Sequence, residues 1–111
     1  MIDYNDNFDL RTFIDLIDNI YDEIMIWDND YKVLYVNKAC YRHYGLRPED
    51  IVGKCLLEFT EIDTYWTPSS IPYVYRDKKS IVQNQKTYLG TDIVTISIPI
   101  LDENGNVKYI I

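Results

Sequence analysis

The sequence predicts an α+β fold: a five-stranded antiparallel sheet, short helices on one face and an N-terminal helix covering the other. Three observations predict it. Two short apolar runs, Ile24–Trp27 and Lys32–Val36, flank the turn Asp28-Asn29-Asp30. A second turn, Asp102-Glu103-Asn104-Gly105, joins two runs near the C-terminus. Between these hairpins lie several short helical segments. Strands grouped apart from helices give an antiparallel α+β arrangement.

The elements follow in order. Asp6-Asn7 can cap a helix starting near Phe8. Leu10, Phe13, Ile14, Ile17, Ile20 and Tyr21 recur at helical spacing, so one face of this helix seeks a partner. Ile24–Trp27 is apolar throughout, the pattern of a strand covered on both faces. Asn and Asp tolerate left-handed backbone and bond their own main chain, so Asp28–Asp30 turns the chain into the return strand. Asn37 can cap a helix over Lys38–Tyr44, and Gly45 suits the position just past its end. Pro48 fits the first turn of a further short helix, with Glu49 and Asp50 favourable beside it. Leu56–Phe59 reads as one more helical turn and Glu61–Thr67 as loop. Ser70 can cap a helix carrying Tyr73, Val74, Arg76 and Asp77. Ile81–Leu89, Asp92–Leu101 and Val107–Ile111 read as three strands.

Composition narrows the function. With 111 residues the chain is one domain, able to bury one core and one small cavity. A net charge of -7 argues against gripping a nucleic-acid backbone, which needs clustered Lys and Arg. No apolar run approaches the roughly 18 residues of a membrane span. The first ten residues are acidic and do not form a signal peptide, so a cytoplasmic location is expected, with Cys40 and Cys55 as reduced thiols. Nucleophile-elbow, phosphate-loop, dinucleotide and zinc-protease motifs are absent, and His43 is the only histidine. The expectation is a non-enzymatic module.

The hairpin, short helix and Pro-Glu-Asp turn of Asp22–Gly53 resemble the opening of a PAS sensor domain, and Ser97–Ile111 resembles that family's final hairpin. Val36-Asn37-Lys38-Ala39 to Gly45-Leu46, then Gln85-Lys86, Gly90, Pro99-Ile100 and Asp102-Glu103 to Gly105, look most like PAS domains at the front of enhancer-binding activators. Those activators work with the alternative sigma factor. Sensor histidine kinases carry similar domains. The resemblance implies residues 1–22 as a capping and dimerising helix and 23–111 as the sensor core. It also implies a fragment cut in or just after the last strand.

By the same resemblance, a small molecule enters a cavity between sheet and helices, and its binding regulates an attached output domain. Aligned on Pro99, Ile93, Thr95 and Ser97 face inward, as do Gln83 and Gln85 opposite them. Val94, Ile96, Ile98 and Ile100 then face outward, which places hydroxyls inside and aliphatics outside. Buried Thr, Ser and Gln cost about 1–3 kcal/mol each without partners. They either bond one another or face a ligand. Cys40 and His43 stand where the family helix carries an aromatic and an aliphatic residue. The expected ligand-binding set is Cys40, His43, Gln85, Thr95, Ser97, Val36, Trp27 and Tyr73. Cys40 is expected to border the cavity, so that Cys40→Phe would refill it.

Cofactors are not expected. Flavin-binding light-oxygen-voltage domains carry Gly-x-Asn-Cys-Arg-Phe-Leu-Gln, whereas Gly53-Lys54-Cys55-Leu56 places its cysteine one residue early. That shift rotates a helical side chain by about 100°. The helix near Ser70–Lys79, where haem-binding PAS domains supply an axial histidine, has none. Expected partners are the small molecule and a second subunit, held through the N-terminal helix and outer sheet face. Two alternatives stay open: a ligand-free dimerisation module, and a metal or redox sensor using Cys40, His43 and Cys55. A cavity of roughly 300 Å³ or more separates a site for a drug-sized ligand from a filled core.

Overall fold

The computed structural model describes residues 9–55, 66–67 and 69–111. Its elements are α1 (Leu10–Asp18), β1 (Met25–Trp27), β2 (Val33–Val36), α2 (Cys40–Tyr44), α3 (Pro48–Ile51), β3 (Trp66–Thr67), α4 (Ile71–Asp77), β4 (Ile81–Thr87), β5 (Asp92–Ser97), β6 (Pro99–Leu101) and β7 (Val107–Ile110). The expected cap at Asp6-Asn7 and the turn at 56–59 lie outside the described residues.

The strands form two antiparallel ladders, in order β2-β1-β7-β6 and β3-β4-β5. Ile98 joins them. Its N–H donates to Ile111 O at 2.8 Å, and its carbonyl accepts from Ile111 N at 3.0 Å. The single strand expected over Asp92–Leu101 is thus two strands meeting at Ile98, just before Pro99, which has no N–H to give a ladder. With β3 as an added edge opposite Thr87 and Lys86, the described residues form seven strands where five were expected.

Both hairpin turns use one local device. Asp28 Oδ1 accepts from the N–H groups of Asp30 and Lys32, at 2.7 and 2.9 Å. Asp102 Oδ1 accepts from those of Asn104 and Asn106, both at 2.9 Å. Three residues after each Asp the backbone is left-handed: φ is 82° at Gly105 and 64° at Tyr31. Glycine adopts this without strain, whereas a tyrosine needs its surroundings to hold it. The Tyr31 ring packs against Tyr75, with centroids 4.1 Å apart. Tyr75 in turn donates its hydroxyl to the Asp28 carbonyl.

The core sits between the sheet and α2–α4, built from Trp27, Val33, Val36, Cys40, Tyr44, Ile51, Ile71, Val74 and Ile110. Gly45 ends α2 in the left-handed conformation, its N–H donating to Tyr41 O at 2.8 Å. Pro48 opens α3, and the Asp50 carboxylate accepts from Arg47 N at 3.0 Å.

Two expected caps work otherwise. Asn37 is wholly buried but makes no side-chain cap for α2. Its Oδ1 accepts from Ile24 N at 3.0 Å, and its Nδ2 donates to Ile17 O and Asp22 O at 3.0 and 2.9 Å. It therefore clamps the link between α1 and β1. Ser70 precedes α4 without a side-chain cap bond and pairs instead across the core with Ser97.

The N-terminal helix also departs from expectation. Asp9 caps α1 by accepting from Thr12 N at 2.8 Å. No residue of α1 is buried, and Leu10, Phe13, Ile14 and Leu16 all stay exposed. The outer sheet face is bare as well, at Val82, Val94, Ile96, Ile98 and Ile100. Within one chain, then, α1 does not cover the sheet. Its C-terminal end is tied to the start of α2 instead, by Asn37 and by Lys38, whose N–H donates to Asp18 at 3.2 Å.

Candidate functional site

A cavity of about 260 Å³ lies between the inner face of β4–β5, the ends of β1 and β7, and the start of α4. Trp27, Ile71 and Ile110 give it apolar walls. Gln85, Thr95 and Ser97 reach it from the sheet, Ser70 from the helix side. The strand register explains the sheet contribution. Gln83 pairs with Thr95 and Gln85 with Ile93, and alternate residues share a face. Thr95 donates its hydroxyl to Gln85 Oε1. The Ser70 and Ser97 hydroxyl oxygens are 3.1 Å apart and share a hydrogen bond. The inner polar side chains therefore bond one another in pairs while still bordering open space.

One charged side chain joins this wall among the described residues. Glu23 precedes β1 and lines the cavity. Tyr44 donates its hydroxyl to Glu23 Oε2 at 2.7 Å, and His43 Nδ1 lies 3.3 Å from Oε1. Opposite an acceptor-only carboxylate, the bonded form of His43 is the one with a proton on Nδ1. Burial, followed by the Glu23 charge and its hydrogen bond, holds the Tyr44 hydroxyl well above the usual phenol range. Tyr44 therefore stays a donor at any ordinary pH. Consecutive residues of α2 thus grip one carboxylate, which itself sits on the link that Asn37 clamps. Arg42 adds a further tie, donating to Tyr21 O at 2.7 Å with its guanidinium 3.9 Å above the Tyr21 ring.

A family model described as the PAS fold matches residues 17–71, from the end of α1 to the start of α4. A sensory box sensor histidine kinase from Vibrio cholerae superposes with TM-score 0.62 at 25% identity, over 88% of this chain and 82% of that one. This is a PAS fold. An RNA-binding light-oxygen-voltage receptor superposes with TM-score 0.60 at 16% identity, over 88% of this chain. The VqmA–ligand–DNA complex of Vibrio cholera superposes with TM-score 0.56 at 19% identity, over 94% of this chain. The chain spans only 30% of the light-oxygen-voltage receptor and 49% of VqmA. No curated protein matches the chain significantly in sequence. PAS domains are generally sensory modules, and these matches indicate no catalytic family.

Within the PAS frame, four of the eight expected ligand-binding residues line the cavity: Trp27, Gln85, Thr95 and Ser97. The inward alternation anchored on Pro99 is the observed one. Cys40 and Val36 face inward but belong to the packed core. The Cys40 thiol donates to Leu46 O at 3.3 Å, and burial, with the Glu23 charge behind it, pushes its pKa up to about 12. Cys40→Phe would overpack the core and not refill the cavity. His43 stands behind Glu23. Tyr73 points away, half exposed, with Arg76 over its ring at 4.8 Å. Among the described residues no group of three or more His, Cys, Asp or Glu side chains could hold a metal, so Cys40, His43 and Cys55 do not assemble into such a site.

Sequence reasoning missed Glu23, Tyr44 and Ser70 as wall residues. Glu23 carries no periodic signal, lying between a helix and a strand and meeting partners some twenty residues later. A glutamate directly before an all-apolar strand is the one cue available, since its neighbours take it out of water.

Proposed function

We propose that this chain is a signal-sensing PAS module that binds a small molecule in the cavity between β4–β5 and the helices. Occupancy then regulates an attached output domain, most simply a transcription activator of the enhancer-binding type. A sensor histidine kinase is the other output class to weigh, given the Vibrio cholerae neighbour. The observation that carries the reading is a cavity whose apolar walls are faced by a polar sheet side, Gln85, Thr95 and Ser97. A sheet that turns Gln85, Thr95 and Ser97 inward gives up apolar burial of about 1.5–3 kcal/mol per side chain, and a bound ligand explains why. At about 260 Å³ the space falls short of a drug-sized site, so the ligand is smaller. VqmA, a structural neighbour, is itself seen with a ligand and DNA.

The proposed module acts without flavin, haem or metal and without touching nucleic acid itself. It works in the cytoplasm, where thiols such as Cys40 and Cys55 stay reduced. No helix among the described residues is long and apolar enough to cross a membrane. Native mass spectrometry of freshly purified protein tests the reading. A retained small molecule, released on unfolding, is the expected result. An empty protein that also binds nothing in a fragment screen would sink it.

A second reading rests on the bare aliphatic face of β4–β6 and the exposed stripe of α1. Both surfaces fit homodimerisation through α1 and the outer sheet face. Sensing and dimerisation are compatible. If the cavity proves idle, dimerisation alone becomes the function.

A further inference from the structure

We propose that the cavity selects a small organic cation, an amine with a compact apolar body, and that Glu23 is the residue that recognises it. The inference rests on the cavity being a ligand site. It starts from charge. Among the side chains of the described lining residues Glu23 is the only ionisable acid or base other than Tyr44, and none of them is Lys, Arg or His. A carboxylate or phosphate ligand would meet this like charge with no cationic side chain on the described wall to offset the repulsion. An ammonium group meets a partner.

Acceptor capacity points the same way. A carboxylate offers about four lone-pair sites. Tyr44 takes one on Oε2 and His43 stands at Oε1, which leaves room for a ligand donor on the cavity side. Tyr44, held protonated, and His43 orient the carboxylate and do not neutralise it by proton transfer from the phenol. The opposite wall suits the rest of the molecule. Trp27, Ile71 and Ile110 fit a ring or short chain, and the Ser70–Ser97 and Thr95–Gln85 pairs can admit one further polar group. The volume sets the size. About 260 Å³ equals eight or nine waters of liquid volume at about 30 Å³ each, so the ligand has on the order of ten non-hydrogen atoms.

The site also explains what such recognition could move. Glu23 lies one residue from Ile24, whose N–H is held by Asn37, the same side chain that holds the end of α1. A cation drawing Glu23 into the cavity pulls on the link to α1.

The test uses three probes sharing one ring and a two-carbon arm: phenethylamine, phenethyl alcohol and phenylacetate. They are titrated calorimetrically into the purified chain and into Glu23→Gln and Tyr44→Phe. The amine is expected to bind at least tenfold tighter than the alcohol, with phenylacetate weakest. Glu23→Gln should reduce the amine to the level of the alcohol, whereas Tyr44→Phe, which leaves the carboxylate in place, should keep the preference. Equal or tighter binding of the alcohol or phenylacetate to the wild type overturns the proposal, and that ranking decides the matter even if Glu23→Gln fails to fold. An amine preference that survives in folded Glu23→Gln also overturns it. If none of the three binds while native mass spectrometry shows a retained molecule, the amine class falls and the cavity reading stands. If neither is seen, both fall.

Discussion

The two faces of β4 and β5 come from the same strands yet follow opposite rules. Inward stand Gln83, Gln85, Thr95 and Ser97, polar and largely shielded. Outward stand Val82, Val94, Ile96 and Ile98, aliphatic and open to solvent. In an ordinary half-buried sheet the alternation runs the other way. A one-residue slip would restore it, but the register is pinned by six successive residue pairs from Ile81–Ser97 to Lys86–Asp92. Under the proposed function the contrast teaches that each face answers to a partner as well as to folding. The inner one surrenders apolar burial where a ligand is proposed to sit, and the outer one exposes it where a second copy is proposed to sit.

Charging the outer face is the strongest way to break the contrast. Val94→Asp with Ile96→Asp should leave the folded monomer intact. It should raise the dimer dissociation constant on the order of 100-fold or more, each lost aliphatic being worth about 1.5–3 kcal/mol. Sedimentation velocity across a concentration series checks this, and a wild type that stays monomeric at high concentration removes the interface from the picture.

The inner face should respond in stability. Ser97→Ala deprives the buried Ser70 hydroxyl of its partner, at a cost of about 1–3 kcal/mol in urea unfolding. The double variant Ser70→Ala with Ser97→Ala should recover most of that loss, because neither hydroxyl is then stranded. Additive losses would mean that water or ligand, not the pair, satisfies these groups.

Smaller still is the effect of Thr95→Val, which deletes the donor to Gln85 while keeping shape. It should weaken a cavity ligand by about 0.5–1.5 kcal/mol, read by calorimetry. Unchanged affinity would take Thr95 out of the site. At the bottom of the scale, Val82→Thr on the outer face should shift monomer stability by no more than about 0.5 kcal/mol. A larger loss would show that this face is packed against something within the chain.

The sequence made the alternation legible because period-two side-chain geometry needs only one anchor, here Pro99. It made both hairpins legible because Asp28 and Asp102 act on backbone within four residues. The roles of Asn37 and Ser70 were misread for the converse reason. Each carries a local cap signal, yet each side chain is spent on a distant partner: Ile17 and Asp22 for one, Ser97 for the other. Cys40, Val36 and His43, expected at the ligand, are buried but do not line the cavity, because residue periodicity cannot divide an interior into packed core and open cavity. That division depends on how α2, α4 and the sheet converge. Glu23 was missed on the same account, its partners being supplied by tertiary approach.

The sealed Cys40 thiol gives the molecule a built-in stopwatch. At neutral pH a pKa near 12 leaves almost no thiolate, and the side chain has no solvent exposure. An alkylating reagent can reach it only when α2 parts from the sheet. Cys55, only partly buried at the bridge to Lys32, has no comparable seal. Mass-resolved labelling should therefore show one fast adduct and one slow one, the slow rate counting how often the core opens. Because α2 also carries Tyr44 and His43, a molecule seated against Glu23 should slow that second adduct, and the thiol would report occupancy without ever touching the ligand.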